Sequence, residues 1–201
     1  MSEMTRWWEV GDLEEAWYKT TSVPREEPES ADRAVDVILA GIPPGEAALE
    51  IGPGLGRIMK RLAGHFQSVS GVDFSKTIVR FAQEYLRKLP QCRVVLSNGR
   101  SLPFPVASFD FVYSFLCFQH MHDLETIQAN VEESYRVLKP GGQCRIQTVN
   151  VAPFRDAAEG NHGWGFPDPR HFLEEFKRVG FAARVEVGLT HFQHIWITAI
   201  K

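Results

Sequence analysis

The sequence contains few cysteines, and none of them lies close to another. Cys92, Cys117 and Cys144 are its three cysteines, they are widely spaced, and they form no C-x-x-C pair. An odd and scattered set of this kind indicates neither a disulfide framework nor a zinc site. We therefore expect free thiols, no bound metal, and the reducing environment of the cytoplasm.

The sequence also lacks a surplus of positive charge. It has 22 Lys and Arg residues against 25 Asp and Glu residues, which gives a formal net charge of −3. Proteins that hold a phosphate backbone usually carry a basic patch or stripe. Nucleic acid is therefore not expected as a partner or substrate.

Long apolar segments are absent as well. No apolar run approaches the length of a membrane-spanning helix, and the polar, acidic first residues lack the apolar segment of a signal peptide. The content of 44% hydrophobic and 23% charged residues is ordinary for a globular protein. We therefore expect a single domain over residues 1–201 that works without a membrane.

The order of the predicted elements indicates the fold class. From Leu49 onward, strand and helix patterns alternate, which is typical of an α/β fold. We predict a three-layer sandwich with a mainly parallel seven-stranded sheet and helices on both faces. The last two predicted strands, Val185–Gly188 and His194–Ile200, are too close in sequence for a helix between them. We therefore expect them to pair antiparallel, which makes the last strand antiparallel.

The most informative stretch is Ala48-Leu49-Glu50-Ile51-Gly52-Pro53-Gly54-Leu55-Gly56-Arg57. A short apolar run leads into an acidic residue, glycine then recurs at every second position, and an amphipathic run follows. This order predicts a strand, a tight turn and a helix, because glycine is needed where the backbone takes positive φ or is closely approached. The N-terminus of such a helix offers free N–H groups to negative charge.

The spacing of the glycines distinguishes between two kinds of cofactor. A dinucleotide fingerprint is G-x-G-x-x-G, whereas here Glu50 precedes Gly52, Gly54 and Gly56 at alternate positions. A carboxylate aimed at this loop repels a pyrophosphate but attracts an ammonium group. S-adenosylmethionine carries an ammonium group, and its carboxylate suits the helix N-terminus. The segment resembles the first motif of the Rossmann-like, S-adenosylmethionine-dependent methyltransferases.

Further residues resemble later motifs of that family, in the family's order, over about Leu49 to Val149. Asp73 closes the second predicted strand and can accept two hydrogen bonds from ribose hydroxyls, while Phe74 offers a flat face to adenine. Asn98 stands where the family usually has an acidic residue that reads the adenine amino group, and its carbonyl can still accept from that amine. The other predicted cofactor contacts lie beside the third and fourth strands and are Gly99, Ser114 and Phe115.

The resemblance implies an enzyme that moves a methyl group from S-adenosylmethionine to a small-molecule acceptor. The sulfonium already activates the methyl group, so the main task of the protein is to hold a nucleophile in line with it. A general base helps where the acceptor is a hydroxyl or a protonated amine. His120, just past the fourth strand, is our candidate base; the alternative is a structural role in the cofactor loop. For His122, a solvated helix start is favoured.

The same resemblance divides the domain into four parts. Residues 1–41 are expected to form a helical, lid-like segment, and residues 42–149 form the cofactor-binding core. Residues 150–172 are predicted to be an acceptor-side insert, and residues 173–201 a closing helix and hairpin.

Aromatic residues suggest how the acceptor would be held. Aromatic faces in the insert can stack on a ring-bearing acceptor or attract a cation; the alternative is a loop that covers the sheet edge. In the first segment, Trp7, Trp8, Trp17 and Tyr18 either complete a lid or fill a satellite core. The insert residues concerned are Phe154, Arg155, His162, Trp164, Phe166 and His171.

Two other functions stay open at the level of sequence. An NAD(P)-dependent oxidoreductase would share the strand-turn-helix and the acidic Asp73, although the G-x-G-x-x-G spacing is missing. A non-catalytic cofactor-binding partner subunit is suggested by the tryptophan-rich start, because exposed aromatic residues favour interfaces. The motifs specify neither the acceptor atom nor the oligomeric state.

Overall fold

The computed structural model describes residues 10–21, 29–121, 123–149, 169–189 and 194–201. Its helices are α1 (Leu13–Thr21), α2 (Glu29–Leu39), α3 (Arg57–Leu62), α4 (Lys76–Leu86), α5 (Leu124–Val137) and α6 (Pro169–Val179). Its strands are β1 (Gly45–Ile51), β2 (Phe66–Asp73), β3 (Cys92–Leu96), β4 (Phe109–Ser114), β5 (Leu138–Val149), β6 (Ala182–Val187) and β7 (His194–Ile200). A short 3₁₀ helix, Phe118–His120, follows β4.

Seven strands form one sheet in the order β3-β2-β1-β4-β5-β7-β6. The pairs β1–β2, β2–β3 and β4–β5 are parallel, and β7 runs antiparallel to both β5 and β6. Because only residues 188–193 separate β6 from β7, too few for a crossover connection, antiparallel pairing is the arrangement open to them. The prediction of a mainly parallel seven-stranded sheet with an antiparallel last strand is confirmed.

The chain divides into two compact units, residues 1–98 and residues 99–201. In the first unit, β1 is buried over its last four residues, Ala48 to Ile51, as expected for a central parallel strand. Helix α1 packs through Trp17, which is 8% exposed, against Leu55 and Ile78. The Trp17 ring meets Tyr85 edge to face, with 5.8 Å between ring centroids. Trp17 therefore fills a satellite core, whereas its neighbour Tyr18 is 70% exposed.

In the second unit, aromatic residues fill the core beneath β4, β5 and β7. Phe111 and Tyr113 of β4 are fully buried and stacked. The apolar side of α6 carries two fully buried phenylalanines, and Phe172 packs against Phe118 with 6.1 Å between ring centroids. The rings of Phe176 and Phe181 continue this contact. Burial of an aromatic stripe explains why α6 is helical despite its many charges.

Two element boundaries differ from the sequence prediction for identifiable reasons. The run Lys139-Pro140-Gly141-Gly142 after α5 predicts a turn, with a strand from Gln143 to Val149, but β5 begins at Leu138. The C-terminal Lys201 extends the strand pairing there, since Gly141 N donates to Lys201 O and Lys201 N donates to Gly142 O, both at 3.0 Å. Ser30 was expected to cap α2 but lies inside it, since the helix begins at Glu29.

The predicted lid tryptophans Trp7 and Trp8 lie outside the described residues, as do Phe154, Arg155, His162, Trp164 and Phe166 of the insert. Helix α6 begins at Pro169, inside the range predicted as the insert. Over the ranges that the structure describes, no helix has both the length and the apolar character needed to span a bilayer.

Candidate functional site

The loop between β1 and α3 depends on its glycines. Gly52, Gly54 and Gly56 have φ values of +69°, +54° and +83°, all in the left-handed region that side chains disfavour. Gly52 N donates to Val72 O of β2 at 2.9 Å, and Gly56 N donates to Pro53 O at 2.9 Å. These bonds hold a tight turn between strand and helix, as the motif predicts.

Side chains of the protein press on two of these glycines. A Cβ on Gly54 would lie 2.8 Å from Cβ of Thr20 in α1, and a Cβ on Gly56 would lie 2.6 Å from Cδ1 of Leu86 in α4. The sequence argument left open which group approaches the glycines; at these two positions it is a side chain of a neighbouring helix. Sequence reasoning missed Thr20, because nothing in its local pattern signals a contact with a loop more than thirty residues away.

Glu50, in the buried end of β1, is 2% exposed. It lies close to Arg57: burial lowers the pKa of that guanidinium, and the negative charge of Glu50 opposes the effect. Burial also raises the pKa of the Cys92 thiol to about 11, and Glu50 adds to this shift. The carboxylate therefore lies in a desolvated region with one cation nearby.

Arg57 is a second residue that sequence reasoning missed, although a signal was present. It is the first residue of α3, where a positive charge is unfavourable to the helix dipole. A cation at such a position indicates a nearby negative group, and Glu50 is that group.

Asp73 ends β2 with much of its hydrogen-bonding capacity still open. Its Oδ1 accepts from Ser75 N at 2.9 Å, and the backbone amide of Phe74 also donates to the carboxylate. Burial outweighs both bonds and raises its pKa from 3.8 to about 6. The helix cap is Ser75, whose Oγ accepts from Ile78 N at 3.2 Å. The sequence predicts Ser75 as the cap of this helix, since it is at least as well placed as Asp73, and the structure confirms this cap.

Asn98 closes the first unit, and Gly99 opens the second. The Asn98 side chain is exposed after β3, and Gly99 has a φ of +82°. The Gly99 carbonyl accepts from Nδ2 of the buried Asn130 at 2.8 Å. Arg136 donates to the Leu102 and Phe104 carbonyls at 2.9 Å each. Helix α5 thus fixes the backbone of residues 99–104, through side chains that sequence reasoning did not select.

The end of β4 carries a strained backbone and an aromatic group. Ser114 is fully buried, and the half-buried Phe115 stacks on Trp196 of β7 with 5.8 Å between centroids. His194, expected as a surface residue, is half-buried and meets Phe115 edge to face at 6.4 Å. Leu116 has a φ of +57°, and its N–H donates to Gln147 Oε1 of β5 at 2.7 Å. The Gln147 side chain therefore holds this uncommon turn.

His120 is half-buried in the 3₁₀ helix that follows β4, and its backbone N–H donates to Cys117 O at 2.9 Å. Cys117 was expected to be buried and is instead half-buried. His122 lies outside the described residues, and His171 is exposed on α6.

The first unit contains seven predicted cofactor residues: Glu50, Gly52, Gly54, Gly56, Asp73, Phe74 and Asn98. The second unit contains Gly99, Ser114, Phe115 and the candidate base His120. In the first unit, strand pairing aligns Glu50 with Gly71 and leaves Asp73 at the carboxyl end of the adjacent strand. Parallel sheets bind ligands at this edge. The roles of all these residues remain predictions of the sequence.

Known proteins resemble the chain in sequence. A family model described as a methyltransferase domain matches residues 49–146. The demethylmenaquinone methyltransferase of Tropheryma whipplei is 31% identical over 121 residues, which cover 58% of this chain and 49% of the relative. The 24-methylenesterol C-methyltransferase 2 of Arabidopsis thaliana is 32% identical over 189 residues, which cover 83% of this chain and 51% of the relative. The chain thus spans about half the length of these curated relatives.

The fold has matches among solved structures as well. An S-adenosylmethionine-dependent methyltransferase from Mesorhizobium loti superimposes with a TM-score of 0.71 at 19% identity, covering 85% of this chain and 100% of that one. At this level of identity, the likeness shows the fold alone. The family model and the order of the motifs identify residues 49–146 as a Rossmann-like, S-adenosylmethionine-dependent methyltransferase domain, and the structural match agrees with its fold.

Proposed function

We propose that this chain transfers a methyl group from S-adenosylmethionine to a small-molecule acceptor. The observation that carries the proposal is the buried Glu50 carboxylate at the end of β1, directly before three glycines with positive φ. A buried carboxylate directly before this loop attracts the ammonium group of an amino-acid tail. The same carboxylate would repel the diphosphate of a dinucleotide.

The other residues of the first unit match the remaining parts of the cofactor. Asp73 has carboxylate lone pairs left for vicinal ribose hydroxyls, since two backbone amides, those of Phe74 and Ser75, donate to it within the described part of the chain. Phe74 and Asn98 follow β2 and β3 and would contact adenine, by stacking and by accepting from its amino group. We assign Gly99, Ser114 and Phe115 to the same task on the evidence of the sequence motifs.

The cofactor supplies a methyl group that its sulfonium has already activated. The protein then has to orient the two reactants and exclude water, which contributes much of the rate enhancement in such displacements. His120 is the residue that we propose as general base for an acceptor that must lose a proton. It is half-buried on the short 3₁₀ helix that follows β4, and its backbone N–H donates to Cys117 O.

The acceptor class that we propose is a small neutral or cationic molecule with a ring. The names of the relatives, a demethylmenaquinone and a methylenesterol methyltransferase, refer to ring-bearing molecules. The net charge of −3 does not favour a polyanionic acceptor.

Calorimetric titration tests the cofactor assignment. We expect S-adenosylmethionine and its demethylated product to bind, and NADH to give no heat. The same S-adenosylmethionine titration on Asp73→Ala should show an affinity loss of about 1.5–3 kcal/mol, the range of a hydrogen bond to a charged group. Binding of NADH with no response to S-adenosylmethionine would refute the proposal.

Cofactor affinity should depend on pH through Asp73. The pKa of this carboxyl is raised to about 6, and only the ionised form accepts hydrogen bonds with both oxygens. We therefore expect the dissociation constant to be constant above about pH 6 and to rise about tenfold per pH unit below it. Titrations between pH 5 and 8 on the wild type and on Asp73→Asn measure this. The variant should bind weakly throughout and lose the pH-dependent step; identical profiles would contradict the assignment.

Without cofactor, the free energy of unfolding should depend on pH in the opposite sense: cofactor affinity increases as pH rises towards 6, whereas the contribution of Asp73 to stability decreases. Because the folded pKa lies above the ordinary value of 3.8, the folded state holds a proton that the unfolded state has lost in the window between the two values. The contribution of Asp73 to the free energy of unfolding is thus greatest below that window and falls as pH rises through it. Comparing urea unfolding of wild type and Asp73→Asn across this range isolates the contribution of the carboxyl.

A further inference from the structure

Among the described residues of the second unit, two buried side-chain oxygens have no hydrogen-bond partner. They are Oγ1 of Thr148 in β5 and Oε1 of Gln119 in the 3₁₀ helix. The Thr148 residue has no exposed surface, although it lies one position from the end of its strand. Buried side-chain oxygens usually have a hydrogen-bond partner, and each buried oxygen without one reduces the stability of the folded state by about 1–3 kcal/mol.

Both atoms belong to segments at one end of the sheet. Thr148 is near the carboxyl end of β5, and Gln119 follows the carboxyl end of the parallel strand β4. The 3₁₀ helix lies against β5. The bond from Leu116 N to Gln147 Oε1, at 2.7 Å, joins the start of the Gln119 segment to the residue next to Thr148. Ligands of open α/β sheets bind at this end of the strands.

The neighbouring polar residues of β5 and β7 show that unsatisfied oxygens are not general in this region. Gln147 uses both ends of its amide, accepting from Leu116 N and donating to Thr148 O at 2.7 Å. Thr198 accepts from Arg145 Nε and donates to Glu186 Oε2, both at 3.1 Å. The missing partners of Thr148 and Gln119 are therefore a specific feature.

The chemistry of the two atoms defines what would satisfy them. The Gln119 carbonyl oxygen can only accept, and the Thr148 hydroxyl can donate and accept. Neither group is charged, so a buried ammonium or phosphate would find no opposite charge in this pair. A neutral hydroxyl group, which both donates and accepts, matches them.

We propose that Gln119 and Thr148 form the hydrogen-bonding subsite for a ring hydroxyl of the methyl acceptor. The inference rests on the proposed methyltransferase function and adds the class of acceptor to it. The two oxygens bind the hydroxyl and fix its orientation at the end of β4 and β5. An acceptor that lacks the hydroxyl leaves both oxygens unpaired in the complex and therefore binds more weakly than one that carries it.

The first test needs no substrate. Thr148→Val keeps the shape of the side chain and removes an unpaired hydroxyl, so the urea midpoint should stay unchanged or rise. Thr198→Val is the matched control on the adjacent strand: its hydroxyl has two partners, and its loss should lower the midpoint. If Thr148→Val lowers the midpoint as much as the control does, the hydroxyl has a structural role and the proposal is wrong.

The second test measures recognition of the hydroxyl. Protein saturated with demethylated cofactor is titrated with 2-methylhydroquinone, 4-methylphenol and cyclohexanol. Each compound is compared with the analogue that lacks one of its hydroxyl groups. We expect at least one hydroxyl compound to bind about tenfold more tightly than its analogue, the strength of one well-placed hydrogen bond. Thr148→Val and Gln119→Met should remove this preference. A preference that survives both substitutions, or none in any pair, would overturn the proposal.

Failure of the subsite and failure of the proposed function give different results. Both variants should bind the demethylated cofactor with wild-type affinity, because neither residue is among those assigned to it. A wild-type protein that does not bind the cofactor contradicts the methyltransferase assignment itself. Normal cofactor binding with no hydroxyl preference contradicts only the subsite.

Discussion

Replacing Glu50 by glutamine is expected to weaken S-adenosylmethionine binding by about 1.5–3 kcal/mol, or roughly 10- to 150-fold. Glutamine keeps the size of the side chain and removes the negative charge that would meet the ammonium group. The side chain is almost completely buried, so water cannot replace the lost interaction. Calorimetry at fixed pH and salt gives the change in the dissociation constant.

The neighbouring Arg57 makes a second measurement necessary. Its guanidinium is partly buried beside Glu50, and losing the carboxylate leaves that charge less compensated. We therefore expect Glu50→Gln to lower the free energy of unfolding as well, and binding should be measured at a temperature where the variant is fully folded. Glu46→Gln, at an exposed position of the same strand, is the control and should change neither quantity. Wild-type affinity in folded Glu50→Gln would contradict the role of this carboxylate.

Gly56→Ala is expected to destabilise the protein by about 2–5 kcal/mol. The backbone there has a φ of +83°, which costs a residue with a side chain about 1–2 kcal/mol. The new Cβ would also meet Leu86 Cδ1 at 2.6 Å, and overpacking of this kind typically adds about 1–3 kcal/mol. Urea unfolding followed by circular dichroism measures the sum.

Two companion variants separate the causes. Gly64→Ala introduces the same methyl group at a position with open space around it and no left-handed backbone, so stability should be unchanged or slightly raised. In a double-mutant cycle with Leu86→Ala, the steric part of the Gly56→Ala effect should disappear while the backbone part stays. A Gly56→Ala protein as stable as the wild type would show that the loop can adopt another conformation.

The glycine loop shows what a local sequence pattern can predict and what it cannot. Alternating glycines after an apolar run with a carboxylate predict a strand, a turn and a helix, and β1, the loop and α3 have these positions. The pattern cannot tell which groups will press on each glycine. Thr20 and Leu86 do so because α1 and α4 pack beside the loop, and both are distant in sequence.

The N-terminal aromatic residues show the same division between pattern and packing. Their sequence leaves a lid, a satellite core or a partner interface open. The packing of Trp17 on Leu55 and Ile78 decides for a satellite core at that position. This also removes Trp17 from the exposed aromatic residues that suggested a non-catalytic partner subunit.

By itself, the sequence determined the fold class and the order of elements, because these follow from hydrophobic periodicity, turn glycines and caps such as Ser75. The family was indicated by the resemblance of its motifs. Only the tertiary structure decided that Arg57 lies by Glu50, that Asn130 holds the Gly99 carbonyl, and that Thr148 Oγ1 and Gln119 Oε1 are buried without a hydrogen-bond partner. Burial and hydrogen bonding depend on which distant segments meet. Hydrophobic periodicity shows only which face of a segment is apolar, so it does not predict which distant segments contact each other.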